Sequence, residues 1–124
     1  MKEIKDEHDS SQFIGKTVPV VIDRPLGSKH PKFGFVYPVN YGYVPDTKAA
    51  DGGGLDAYVL GIDEPLKMYE GQTVAMIHRL DDNDDKLIVT NGENFTDEEI
   101  KKLTNFQEQF FKSVILREPL DLLK

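Results

Sequence analysis

From residue 17 to about residue 117, short apolar or β-branched runs alternate with clusters of Gly, Pro, Asn and Asp. Branched and aromatic side chains fit a pleated surface, and the intervening residues supply the bends of turns. The pattern predicts strands over 17–22, 33–37, 57–62, 73–79 and 86–90, a spacing that suits a small antiparallel barrel. The period changes at Thr96. Thr96-Asp97-Glu98-Glu99 is a capping box, in which the Thr hydroxyl and a Glu carboxylate satisfy free N–H groups of a first helical turn. Beyond it Ile100, Leu103, Phe106, Phe110 and Val114 form one apolar stripe at helical spacing, with Pro119 past the expected end. The chain therefore reads as mainly β with one C-terminal α-helix laid on the barrel.

Residues 1–12, with Glu3, Asp6, Glu7 and Asp9 among few apolar groups, read as a polar, frayed terminus, which leaves 13–124 as a single domain without internal repeats. A length of 124 residues supports one modest core and hence one site. The absence of Cys excludes thiolate catalysis, disulfides and Cys-based zinc sites, and it agrees with a cytoplasmic location. No apolar run approaches the roughly 18 residues of a membrane span, and the start is unlike a signal peptide, so a soluble protein without membrane contact is expected. The formal net charge is -7 with Lys and Arg scattered, which lacks the basic footprint of a nucleic-acid binder. A local cluster of cations, or Mg²⁺ bridging carboxylates to a ligand, would still let it hold a phosphate anion.

Asp51-Gly52-Gly53-Gly54-Leu55-Asp56 sets carboxylates on either side of a triple glycine, a path supple enough to aim both at one hard cation. Taken alone, the same residues are more simply a solvated loop. Asp81-Asp82-Asn83-Asp84-Asp85-Lys86 falls where a hairpin turn is expected; a calcium hand is excluded because Lys86 stands where that loop needs glycine and Gly92 where it needs glutamate. Asp84 and Lys86, two apart at a strand start, share a face, so one could hold a metal while the other meets a phosphate oxygen. In Asn40-Tyr41-Gly42-Tyr43 the tyrosines share a face if extended, either as anion donors or as core residues with a wet tip. The loop from Asp23 to Lys32 is basic and could fold over an anion or be ordinary surface. Lys112 is expected near the helix end, where a cation also suits the macrodipole, and His78 lacks neighbours at metal-ligand spacing.

Taken in order, Tyr37-Pro38-Val39-Asn40-Tyr41-Gly42-Tyr43, Asp51 eleven residues after Asn40, Leu55-Asp56, and Asp84-Asp85-Lys86-Leu87 resemble the soluble family I inorganic pyrophosphatases, with a trimmed first half. The resemblance implies an OB-like five-stranded closed barrel with a helix packed on it, and Mg²⁺-dependent hydrolysis of diphosphate to two phosphates. It implies that Asp51, Asp56, Asp84 and, in a shortened loop, Asp81 rather than Asp82 hold metal. Lys86, Tyr41, Lys112 and Arg24 match residues that meet phosphate, and Asp51, Asp56, Lys86 and Tyr41 are the catalytic set.

Two departures from the pattern matter. Gly53 stands where the family has the central Asp of its metal signature, and glycine can neither bind metal nor take a proton from water. Phe111 replaces the tyrosine of a late Tyr-Lys pair. Asp46 and Glu93 are the neighbouring carboxylates open as substitutes. The enzyme reading therefore stands beside an alternative, a pyrophosphatase-like module that binds a phosphorylated ligand or protein partner without turnover. Leu120, Leu122 and Leu123 would cover the core or another subunit, and a homo-oligomer is expected.

Overall fold

The computed structural model describes residues 10–48, 53–82 and 84–120. After a 3₁₀ turn at Ser10–Phe13 come strands β1 (Thr17–Arg24), β2 (Asn40–Val44), β3 (Leu55–Val59), β4 (Met68–Arg79) and β5 (Asp85–Thr90), then helix α1 (Asp97–Glu108) and strand β6 (Ser113–Leu116). The strands lie in the order β1-β2-β3-β5-β4-β6, and a further pairing of β1 with β4 closes the first five into a barrel. The long β4 serves three partners: one edge pairs with β5, and along the other its first half pairs with β1 and its last four residues with β6. The expected antiparallel barrel is antiparallel at every pair but one. Because β5 is inserted between β3 and β4, it runs parallel to β3, setting Asp56 opposite Lys86.

Strand alternation divides the core in two. Val18, Val20, Ile22, Leu55, Ala57, Val59, Leu87 and Val89 point into the barrel. Tyr58 and Ile88 point outward, where Ile100, Leu103 and Phe106 of α1 cover them. Full burial of a side chain such as Ile100, which has no exposed surface, contributes about 1.5–3 kcal/mol. The capping box forms as the sequence predicts, Thr96 Oγ1 accepting from Glu99 N–H and Glu99 accepting from Thr96 N–H.

Two expectations are corrected. The helix ends at Glu108, with Gln109 as its cap donating to the Asn105 carbonyl, so Phe110 stands 67% exposed in a turn and Val114 belongs to β6. The helical stripe ran on by coincidence into a β-branched strand. Lys112 accordingly lies in the link between α1 and β6, not on the helix. The segment 33–37 is the return arm of a tight loop, closed by Gly27 N–H to Tyr37 O and His30 N–H to Phe35 O, with a single bridge between Lys29 and Val36.

The strand expected there begins instead at Asn40. Its buried amide accepts from Leu26 and Leu66 N–H and donates to the Glu64 carbonyl, tying two loops to the strand start. Two residues on, a Cβ at Gly42 would lie 1.9 Å from the Val21 carbonyl oxygen, where β1 bulges between Ile22 and Arg24. Only glycine allows the two backbones to approach so closely.

Candidate functional site

The parallel register of β3 and β5 brings Asp56 and Lys86 side by side on the outer face of the barrel. Lys86 Nζ lies 2.6 Å from Asp56 Oδ2 and 2.9 Å from Asp84 Oδ2, and the side chain is only 4% exposed. Burial pulls the ammonium toward its neutral form, but Tyr41 and these two carboxylates outweigh it, so its pKa is raised and the charge is held. Tyr41 reaches the same point from β2, with Lys86 Nζ 5.7 Å from its ring centroid. Burial pushes the phenol well above its ordinary range; Lys86 pulls it back and Asp56 pushes it further, so Tyr41 stays a hydrogen-bond donor.

A second cation lies beneath this group. Arg79, 5% exposed at the end of β4, bonds bidentately to Glu108 on α1, Nε to Oε1 at 3.0 Å and Nη2 to Oε2 at 2.8 Å. Its remaining Nη1 reaches Asp82 and Asp84 at 3.3 and 3.4 Å. The guanidinium lies over the Phe111 ring, 3.7 Å from its centroid. Tyr58 donates to Glu108 at 2.6 Å, Gln107 donates to Tyr58, and Tyr37 donates to Gln107. A continuous polar chain therefore runs from Tyr37 through the helix end to Asp84, Lys86 and Asp56. A cavity of about 500 Å³ opens above Tyr41, Arg79 and Lys86, walled by His30, Phe33, Phe35, Phe110 and Phe111.

The fold thus brings together Tyr41, Asp56, Asp84 and Lys86. Arg24 stands at the end of β1 opposite Tyr41 and next to Tyr37, bonded to the Asp23 carbonyl. Both Asp81 oxygens accept the Lys112 backbone N–H, at 2.9 and 3.2 Å, which fixes the loop before β6 and leaves the Lys112 side chain exposed. Asp51 lies outside the described residues. Gly53 is exposed at the mouth of β3, and a Cβ at Gly54 would touch the Tyr43 ring at 3.0 Å, so that glycine is held against an aromatic face rather than left slack. Of the two open substitutes, Asp46 follows β2 at the end where β3 begins, in a left-handed turn at φ 63°, whereas Glu93 lies beyond the far end of β5. His78 bonds Asp85 at 2.7 Å, a local pair.

Sequence reading missed three groups. Arg79 and Glu108 had one signal each: a cation closing an apolar strand, and an anion in a last helical turn, where the macrodipole disfavours it. Asp23 was folded into a basic loop, yet the bulge of β1 sets it near Asp56. Burial and the Asp56 charge raise its pKa, against Arg24, which lowers it.

No group of three metal-ligating side chains forms among the described residues. Asp56 and Asp84 nonetheless converge on one point already held by a cation, and both are hard oxygen donors. Magnesium is commonly held by one or two carboxylates with waters and substrate phosphates completing the shell, so this pair fits it in type and number.

The family model for inorganic pyrophosphatase matches residues 3–116. An inorganic pyrophosphatase of Saccharolobus solfataricus is 31% identical over 108 residues, covering 85% of this chain and 57% of the relative, so the chain spans little more than half that protein's length. Among solved structures, the inorganic pyrophosphatase of Ehrlichia chaffeensis superposes with a TM-score of 0.66 at 17% identity, covering 87% of this chain and 89% of the other. That of Helicobacter pylori gives 0.60 at 20% identity, covering 83% and 82%. These likenesses establish the shared fold, and the family match over most of the chain, together with the motifs, establishes that it belongs to the inorganic pyrophosphatases of the soluble family I type.

Proposed function

We propose that this chain hydrolyses inorganic diphosphate to two phosphates with Mg²⁺. The observation that carries the reading is Lys86 Nζ, buried and clamped between Asp56 and Asp84 beside the Tyr41 phenol at the floor of a cavity. Around that floor, the carboxylates Asp23, Asp56, Asp82, Asp84 and Glu108 outnumber the cations Arg24, Arg79 and Lys86. A multiply charged anion would be repelled from such a surface unless a further cation came with it. Asp56 and Asp84, with Asp51, would hold Mg²⁺, which supplies Lewis acidity and charge neutralisation when bound.

This chain's own groups do the rest. Lys86 exchanges a carboxylate partner for a phosphate oxygen as the anion enters, and its held charge makes that contact available up to alkaline pH. Tyr41, kept protonated, donates to a second oxygen. Arg79, anchored by Glu108 and Phe111, keeps Asp84 in place. Gly53 offers no carboxylate for the proton of the attacking water, so Asp46, which follows β2 where β3 begins, and Asp23, near Asp56, are the groups open to receive it. We also place the protein in the cytoplasm as a homo-oligomer, which light scattering would check. Among the described residues no helix is long and apolar enough to cross a membrane.

The test is phosphate release from diphosphate with Mg²⁺ and with chelator. Lys86→Met should lower kcat/KM by about 10²–10³-fold, the usual loss for one preorganised charge-stabilising group. Unchanged turnover in that variant would remove Lys86 from the site.

A further inference from the structure

Inorganic diphosphate is polar over its whole surface and has no use for an apolar wall. The cavity above Lys86 and Arg79 is nonetheless lined on its outer side by Phe33, Phe35, Phe110 and Phe111. Phe33 is 68% exposed and Phe110 67% exposed, although each large ring in water forfeits burial that a polar residue would not need. Neither supports the barrel: Phe110 stands in the turn after α1, and Phe33 at the tip of the loop before β2. The wall is ordered rather than loose. His30 stacks on Phe33 with ring centroids 4.9 Å apart at 29°, and its Nδ1 accepts the Lys32 and Phe33 N–H groups, which fixes the loop tip. Phe33 and Phe35 lie within 17° of parallel, and Phe35 is seated edge-on against Phe106 of α1.

The cavity is thus two-ended, with an anion-binding floor continuous with a platform of near-parallel rings. At about 500 Å³ it has the volume of a pocket for a small organic molecule, larger than two phosphates require. The occupant that matches both ends carries a diphosphate on a flat, stackable body. We infer that the site takes organic diphosphates of the nucleoside diphosphate class, with the base stacked on the Phe33 and Phe35 platform and the diphosphate at Lys86. This rests on the diphosphate chemistry proposed above and widens its substrate class. In the reaction, a water oxygen bonds to the terminal phosphorus as the anhydride P–O bond breaks. The bridging oxygen leaves on the nucleoside monophosphate, and inorganic phosphate and one proton are released.

The experiment is calorimetric titration with ADP, methyl diphosphate and dimethylallyl diphosphate in Mg²⁺, on wild type and Phe33→Ala/Phe110→Ala, alongside phosphate release from ADP and from inorganic diphosphate. Both substituted rings are largely exposed, so the fold should survive; Phe35 is left in place because it packs on α1. Stacking of one base predicts ADP binding about tenfold tighter than methyl diphosphate in wild type, with the advantage lost in the double variant. The ratio of kcat/KM for ADP to that for inorganic diphosphate should fall by a similar factor. Equal affinity for ADP and methyl diphosphate, or no binding of either, would overturn the inference. Dimethylallyl diphosphate gaining as much as ADP would also overturn it, by showing an apolar pocket without preference for a ring. Turnover of inorganic diphosphate with no response to ADP would sink this inference alone, whereas loss of both would sink the proposed activity as well.

Discussion

Arg79 and Glu108 meet through two near-parallel hydrogen bonds, Nε to Oε1 at 3.0 Å and Nη2 to Oε2 at 2.8 Å, joining the end of β4 to the last turn of α1. An anion at a helix C-terminus opposes the macrodipole, and a buried guanidinium needs a counter-charge, so each group makes the other tolerable. Glu108→Gln should therefore cost about 3–5 kcal/mol, because it leaves a buried cation with only the longer contacts to Asp82 and Asp84. Arg79→Met/Glu108→Leu, which removes both charges, should recover part of that loss. Urea unfolding of the three proteins measures this; an additive double variant would show that the two side chains are not coupled.

Gly42 carries a second requirement. With only 1.9 Å between a Cβ there and the Val21 carbonyl, Gly42→Ala forces β1 and β2 apart at the bulge. The expected cost is at the upper end of overpacking, about 3 kcal/mol. It should be accompanied by weaker amide protection at Val21 and Tyr43. A thermal midpoint equal to wild type would contradict the close approach.

Alkaline pH should destabilise the protein from about 10 upward. Tyr41, Tyr58 and Lys86 are all raised above their ordinary values of 10.0, 10.0 and 10.5, the tyrosines first by burial and Lys86, despite burial, by Tyr41, Asp56 and Asp84. Groups raised in the folded state release protons first from the unfolded chain. Their stabilisation is complete below those ordinary values and is lost as pH rises toward the folded ones. Each group contributes a slope of up to about 1.4 kcal/mol per pH unit. Tyr58→Phe should be less stable at pH 8, having lost its bond to Glu108, and should show a shallower fall above pH 10. Denaturant midpoints at pH 8, 10 and 11 are the check, and a flat wild-type profile would contradict the burial of these groups.

The barrel was legible in the sequence because β1, β3, β4 and β5 each contain a short run rich in apolar or β-branched residues, and α1 because its capping box is explicit. What was not legible depends on partners remote in the chain. The strand β2 reads as a motif of polar and aromatic residues, and only the approach of Val21 explains its glycine. The end of α1 was missed because Phe110 and Val114 continue the helical spacing while serving a turn and a strand. The parallel pairing of Asp56 with Lys86 could be reached from sequence only through family resemblance, since the strands between them gave no register. Arg79 and Glu108, 29 residues apart, had no motif at all.

Magnesium should stabilise the folded protein by binding at the carboxylates. Mg²⁺ at 100 times its Kd would add about 2.7 kcal/mol of stability. In Asp84→Asn most of that gain should vanish, while Lys86 keeps Asp56 as partner and the metal-free stability changes little by comparison. Thermal midpoints with and without Mg²⁺ give the answer; an undiminished gain in Asp84→Asn would move the metal elsewhere.

Metal-dependent hydrolysis at Lys86, Asp56 and Asp84 is proposed despite the glycine at position 53. Its most direct test is phosphate release from inorganic diphosphate, with and without excess Mg²⁺, by wild type, Asp84→Ala and Gly53→Asp. The expected results are Mg²⁺-dependent release by wild type, its loss in Asp84→Ala, and an increase in Gly53→Asp as a carboxylate is placed beside β3. No release by wild type, with activity appearing only in Gly53→Asp, would contradict the proposal and mark the site as one that binds its anion without turning it over.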